Sequence, residues 1–136
     1  MVDHVDSSTR SKIMASVHSK DTKPEIKVRK IAHALGYRFR LHRADLPGKP
    51  DLVFPSRRKV IFVHGCFWHR HSRCRYATMP KTRTEFWERK FLANTARDRR
   101  NWRELRKLGW DVLTVWQCEL KKAEKLTERL NDFLAN

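Results

Sequence analysis

The stretch Pro50-Asp51-Leu52-Val53-Phe54-Pro55-Ser56-Arg57-Arg58-Lys59-Val60-Ile61-Phe62-Val63-His64-Gly65 decides how this chain folds. Asp51–Phe54 is a short apolar run and reads as a strand. Pro55-Ser56-Arg57-Arg58 is a turn. Val60–Val63 is apolar without alternation, the pattern of a central strand buried on both faces. Upstream, Pro47-Gly48-Lys49-Pro50 is another turn, and Tyr37, Phe39 and Leu41 alternate with Arg38, Arg40 and His42 as in a half-buried strand. Three strands joined by tight turns form a meander.

Helices bracket the meander. Thr22-Lys23-Pro24-Glu25 is a helix start: Thr22 can cap, Pro24 suits the first turn, and Glu25 has the spacing of a capping box. Val28, Ile31, Ala32 and Leu35 follow at helical spacing, and Gly36 stops the helix. Thr84–Leu108 is helical in composition, with Gly109 as its stop. Trp110–Trp116 is a fourth strand, and Leu126, Leu130, Phe133 and Leu134 mark a closing amphipathic helix. The expected order is α-β-β-β-α-β-α, an α/β fold with a mixed sheet between helices. Residues 1–20 are expected to be an arm, with Ile13, Met14 and Val17 as a small apolar stripe, and 21–136 one domain.

Composition narrows the function. The chain has 136 residues and a formal net charge of +16, with 40% hydrophobic and 34% charged residues. Such a charge repels itself unless the partner is polyanionic, so nucleic acid is the expected partner. No apolar run is long enough to span a membrane, and Met1–Lys20 has no signal-peptide core; a cytoplasmic protein is expected. Three cysteines in a reducing compartment favour metal ligation or free thiols over disulfides.

Two of those cysteines lie in Cys66-Phe67-Trp68-His69-Arg70-His71-Ser72-Arg73-Cys74. Cys66, His71 and Cys74 offer three zinc ligands, and Cys118, just past the last strand, is the only cysteine left to complete four. His64 and His69 remain as alternative ligands; idle thiols are the plain alternative. Asp51, at a strand edge after a turn, suits a divalent cation, though turn aspartates often serve only the backbone. His69 suits a general base. Glu25 is explained by capping as well as by catalysis. Phe67 and Trp68 are not easily both buried in a loop so rich in Arg and His, and they suit wedging between base pairs. Trp87, Trp102, Trp110 and Trp116 read as core. Arg97, Arg99, Arg100, Arg103 and Arg106 crowd one helix, either as a solvated face or as phosphate contacts.

These residues together resemble the very short patch repair (Vsr-type) endonucleases. The resemblance rests on Asp21-Thr22 with Glu25, on Leu46-Pro47-Gly48-Lys49-Pro50-Asp51, and on His64-Gly65-Cys66-Phe67-Trp68-His69. It extends through Thr82-Arg83-Thr84-Glu85-Phe86-Trp87, Arg97-Asp98-Arg99-Arg100 and Gly109-Trp110. It implies a restriction-endonuclease-like fold of the PD-(D/E)xK type, and a Mg²⁺-dependent nick beside the T of a T·G mispair left by deamination of 5-methylcytosine. By the same resemblance, Asp51 holds Mg²⁺ with the backbone carbonyl of Val63, and His69 is the general base. Glu25 and His64 support the metal–water network, and Cys66, His71, Cys74 and Cys118 bind structural Zn²⁺. Phe67 and Trp68 intercalate with Met14 wedging from the other side, and Lys49, Arg97 and Arg100 contact DNA. A MutL-type protein and DNA polymerase I are the implied downstream partners of a nucleoid-associated monomer. Val63 stands where the family often has Thr, and the second zinc cysteine comes one residue later than is usual. The E-x-K half of the PD-(D/E)xK motif is absent, with imidazoles in place of the lysine. Two other functions fit the composition: a zinc-stiffened DNA-binding module without catalysis, and a restriction or general nicking nuclease that needs no mismatch.

Overall fold

A computed structural model describes residues 22–136. Its helices are α1 (Lys23–Ala34), α2 (Thr84–Lys107) and α3 (Ala123–Ala135); its strands are β1 (Arg40–Leu41), β2 (Leu52–Phe54), β3 (Lys59–His64) and β4 (Asp111–Trp116). The four strands form one sheet in the order β1-β2-β3-β4. The first three are an antiparallel meander, and β4 returns parallel to β3 after the long helix α2. This is the expected mixed sheet between helices. The expected strand over Tyr37–Leu41 shrinks to two residues, because Tyr37 and Phe39 pack into the core without pairing.

The alternation along β2 and β3 sends side chains to two cores. Leu52, Phe54 and Ile61 join Val28 and Ala32 of α1 and Leu126, Leu130 and Leu134 of α3. Val53, Val60 and Phe62 face the other way, against Leu105 of α2, with Leu46 and Trp110. A strand wanted by helices on both faces has no polar side to show, which explains the unbroken apolar run in β3. The last carbonyls of α3 receive cations from β3 and the turn before it: Lys59 Nζ donates to Phe133 O at 2.6 Å and Arg57 to Leu134 O at 2.9 Å.

Both predicted helix stops hold. Gly36 and Gly109 take φ of +90° and +89°, a left-handed backbone that costs glycine nothing. Gly48 in the Pro-Gly turn has φ +75°, and a Cβ there would meet Asn101 Nδ2 of α2 at 2.7 Å. The turn thus lies flat on α2 and delivers Asp51 to the end of β2.

Candidate active site

Asp51 sits immediately before β2. Leu52 pairs with Ile61, so Asp51 reaches the far half of β3, where Val63 N–H donates to its Oδ2 at 2.7 Å. Burial raises the Asp51 carboxyl to about 7, against the Val63 hydrogen bond that lowers it, and the neighbouring Glu25 carboxylate adds to the rise. Glu25 is 3% exposed. Thr22 does cap α1, its Oγ1 accepting from Glu25 N–H at 3.4 Å. The carboxylate of Glu25, however, turns to Arg29 and to His42 Nε2, the latter at 2.8 Å. The Glu25 carboxylate is thus engaged by side chains rather than by the capping box. Ligand atoms of Glu25, His42 and Asp51 all lie within 4.8 Å of one another. Two crowded carboxylates, with Asp51 raised by burial, fit a divalent cation, which would relieve their repulsion.

The next residue of β3, His64, belongs to an imidazole pair. His64 and His69 stack with ring centroids 3.7 Å apart and planes 7° from parallel. Burial drives His64 down to about 3, helped by the His69 charge and opposed by Asp98, so His64 is neutral at physiological pH. His69 Nδ1 lies 2.8 Å from Asp98 Oδ2 on α2. Asp98 thereby fixes the tautomer in which Nδ1 donates and Nε2 keeps its lone pair. The second ring, His64 Nδ1, is 4.0 Å from the same oxygen. A cleft of about 360 Å³ opens over His69 and Asp98, lined also by Arg99, Trp102 and Trp116. An imidazole oriented by a carboxylate has the chemistry of a general base, and a carboxylate cluster that of a cation holder.

The loop after β3 carries the thiols. Parallel pairing sets His64 opposite Trp116, so Cys66 and Cys118 leave neighbouring strand ends together. Ligand atoms of Cys66, His71, Cys74 and Cys118 lie within 4.8 Å of one another, with Cys118 Sγ 3.4 Å from His71 Nδ1. Burial pushes the Cys66 thiol up to about 12 and raises Cys118 as well. At Cys74 burial is outweighed by backbone N–H groups of Tyr76 and Ala77 and by the other two thiols, which lower it. Three sulfurs and an imidazole could hold a tetrahedral metal such as Zn²⁺. His71 is further fixed by stacking on Trp116 at 4.2 Å.

The loop aromatics part company. Trp68 is only 7% exposed and packs on Trp87 and Phe91 of α2. Phe67 is half-buried at the rim of that cluster. The expectation that both stand out toward DNA is corrected for Trp68 in the DNA-free chain: the first turns of α2 supply an aromatic floor that the loop composition does not reveal. Arg70 clamps this cluster, its guanidinium 4.1 Å from the Phe91 ring centroid and bonded to Ala77 and Thr78 carbonyls. Of the expected core tryptophans, Trp87 and Trp110 are buried, while Trp102 and Trp116 are half-buried and border the imidazole cleft. Lys49, Arg97 and Arg100 are exposed. Met14 and the expected arm lie outside the described residues.

The family described as DNA mismatch endonuclease Vsr matches residues 2–75. A type II nicking enzyme of Xanthomonas oryzae pv. oryzae, V.XorIIP, is 52% identical over 134 residues, which is 98% of either chain. The DNA mismatch endonuclease Vsr of Escherichia coli is 45% identical over 139 residues, 98% of this chain and 88% of that one.

The chain belongs to the Vsr mismatch endonuclease family.

A solved structure, the catalytic domain of homing endonuclease I-Bth0305I, shares the fold at a TM-score of 0.59 and 20% identity, over 83% of this chain and 94% of that domain. Within the Vsr fold two residues near the chemistry escaped sequence reasoning. Asp98 is one acid among arginines on a basic helix, and only the packing of α2 on the sheet brings it to His69. His42 reads as the outward face of a strand. Because β1 ends at Leu41, His42 leaves the pleat with φ +49° and turns toward Glu25. The one signal the sequence carries is helical spacing, which puts Asp98 on the same face of α2 as Phe91 and Asn94.

Proposed function

We propose that this Vsr-family chain nicks one strand of duplex DNA beside the T of a T·G mispair, by Mg²⁺-assisted hydrolysis. It is a DNA endonuclease, a hydrolase of phosphodiester bonds. The observation that carries the reading is that consecutive residues of β3 touch both parts: Val63 N–H holds Asp51, and His64 stacks on His69, which pairs with Asp98. A divalent cation at Asp51 would polarise the phosphate and stabilise the departing oxygen. Asp51 and the Val63 carbonyl are the proposed ligands, with Glu25 close by. His69 Nε2 takes a proton from the attacking water, and Asp98 stabilises the resulting imidazolium through Nδ1. His64, held neutral, gives His69 a flat uncharged neighbour that does not compete for the proton.

The zinc reading assigns Cys66, His71, Cys74 and Cys118 to one Zn²⁺ that ties the loop to the end of β4. Phe67, at the rim of its cluster, is the first ring able to enter a base step, and Trp68 follows as the loop opens on DNA. Lys49, Arg97 and Arg100 offer cations to phosphates. Residues 1–20, with Met14, are assigned to an arm that reaches the mismatch from the opposite side. One nick needs one active site, so a monomer suffices, with a MutL-type protein and DNA polymerase I acting downstream. Among the described residues no helix is long and apolar enough to cross a membrane.

The test is a panel of duplexes that carry T·G, each other mispair, or T·A in one sequence context. Nicking confined to the T strand of T·G is expected. Equal nicking of the matched duplex would replace the mismatch reading with that of a general nicking enzyme. No nicking of any duplex with Mg²⁺ would leave a zinc-stiffened binding module.

The two halves of the dyad predict different losses. His69→Ala removes the base and is expected to lower the nicking rate ~10²–10⁴-fold with DNA binding retained. Asp98→Asn keeps a partner for Nδ1 but favours the wrong tautomer, for an expected loss of ~10²–10⁴-fold. Single-turnover rates on pre-bound duplex measure both. A wild-type rate in either variant would remove that residue from the mechanism.

A further inference from the structure

We propose that His42 is a nitrogen ligand of the active-site cation, giving this endonuclease a mixed nitrogen–oxygen site that favours Mn²⁺ over Mg²⁺. The proposal deepens the reading of Asp51 as the cation holder and rests on it. His42 follows β1, and its N–H donates to Asp51 O at 3.3 Å, so the two residues face each other across the hairpin. The left-handed backbone at His42, a conformation in which histidine is enriched among non-glycine residues, turns the ring away from the strand pleat and toward Glu25.

The nitrogen that arrives there lacks a settled role. Nε2 lies 2.8 Å from Glu25 Oε2 but out of line for a hydrogen bond, and it has no hydrogen-bond partner among the described residues. The His42 side chain is only 11% exposed. A buried polar atom without a partner costs about 1–3 kcal/mol, which a bound ligand would offset. The ligand atoms of Glu25, His42 and Asp51 already lie within 4.8 Å of one another. Two ligands at ~2.0–2.3 Å from one ion stand at most ~4.6 Å apart, so shifts of a few tenths of an ångström close the set.

Charge also favours a cation. Arg29 pairs with Glu25 and neutralises one carboxylate. With Asp51 ionised, one negative charge is left, and an incoming phosphodiester adds a second, which together match a divalent ion. An imidazole in the set changes which ion is preferred. Mg²⁺ takes oxygen ligands and gives up water reluctantly, whereas imidazole nitrogen favours transition metals.

The experiment uses zinc-loaded protein bound to a nicked T·G duplex, titrated with Mn²⁺ and examined by pulsed electron paramagnetic resonance. A ligand-nitrogen coupling is expected in the wild type. It should persist in His69→Ala and disappear in His42→Asn, an exchange the left-handed backbone tolerates. Mn²⁺ affinity should fall about tenfold or more in His42→Asn, with Mg²⁺ affinity changing by less than about threefold. His42→Gln serves the same measurement if the asparagine variant folds poorly. If Asp51→Ala abolishes Mn²⁺ binding but the nitrogen coupling is absent from the wild type, or survives in both His42 variants, the His42 proposal is overturned while Asp51 keeps its role. If Mn²⁺ binds Asp51→Ala as it binds the wild type, the cation-site reading itself fails, and the proposal with it.

Discussion

Asp51→Asn is expected to lose nicking by ~10³-fold or more and to make the metal-free protein more stable. The loss follows from removing the carboxylate proposed to hold the cation, whose charge stabilisation amounts to several kcal/mol, with each 1.4 kcal/mol near tenfold in rate. The gain follows from burial. Asp51 is raised from 3.8 to about 7 in the fold, chiefly by desolvation. A raised carboxyl contributes stability fully below its unfolded value, and that contribution is lost as pH rises through the folded value. The wild type without divalent cation should therefore weaken between pH 4 and pH 7, and Asp51→Asn should not. Above pH 7 the difference should reach about 2–4 kcal/mol in favour of the variant. The Asn carbonyl can still accept from Val63 N–H, so the hairpin keeps its contact. Urea unfolding at several pH values, with and without Mg²⁺, reads the stability. Added Mg²⁺ should stabilise the wild type near neutral pH and leave Asp51→Asn unchanged. A variant that nicks normally, or that is less stable than the wild type at pH 8 without cation, would contradict this account of the site.

Cys74→Ser is expected to lower mismatch binding and nicking together by ~10²-fold or more, because one ion is proposed to fix both functions. Phe67 and Trp68 follow Cys66 directly, and His69 precedes His71 by two residues. Removing one of the proposed zinc ligands is therefore expected to free the proposed wedge and base at once. The sheet cores of β2 and β3 do not depend on the loop, so the variant should fold. Its melting temperature should fall on the order of 10 °C, taking ~3 kcal/mol for one of four ligands. Zinc content by atomic absorption, binding to a T·G duplex and nicking rate measure the three effects. A Cys74→Ser protein with full zinc and full activity would separate the thiols from the chemistry.

Much of this was legible in the residues, and the illegible parts share a cause. The apolar run Val60–Val63 between turns announced a central strand, and Gly36 and Gly109 marked helix ends that the structure places as expected. Cys66, His71 and Cys74 sit close in sequence, and Cys118 was the only cysteine remaining. That the four converge follows from the parallel pairing of β3 with β4. Asp98 and His42 were not legible because neither belongs to a local pattern. Asp98 acquires meaning from a partner 29 residues away. His42 acquires it because a strand stops one residue early. Glu25 shows the converse: its spacing from Thr22 explained it too easily, and its carboxylate serves His42 and Arg29 instead. Trp68 was read from its polar neighbours, while its burial depends on Trp87 and Phe91 of a helix further along the chain.

The central claim is that β3 carries a cation site and an oriented base that together cut one DNA strand. The most direct measurement starts from protein bound to a T·G duplex in cation-free buffer and adds Mg²⁺, with each strand labelled separately. The account predicts no cleavage before Mg²⁺, then a single nick beside the T, and no such nick from Asp51→Asn or His69→Ala complexes. Cleavage at an undiminished rate before Mg²⁺, or by either variant, would contradict it.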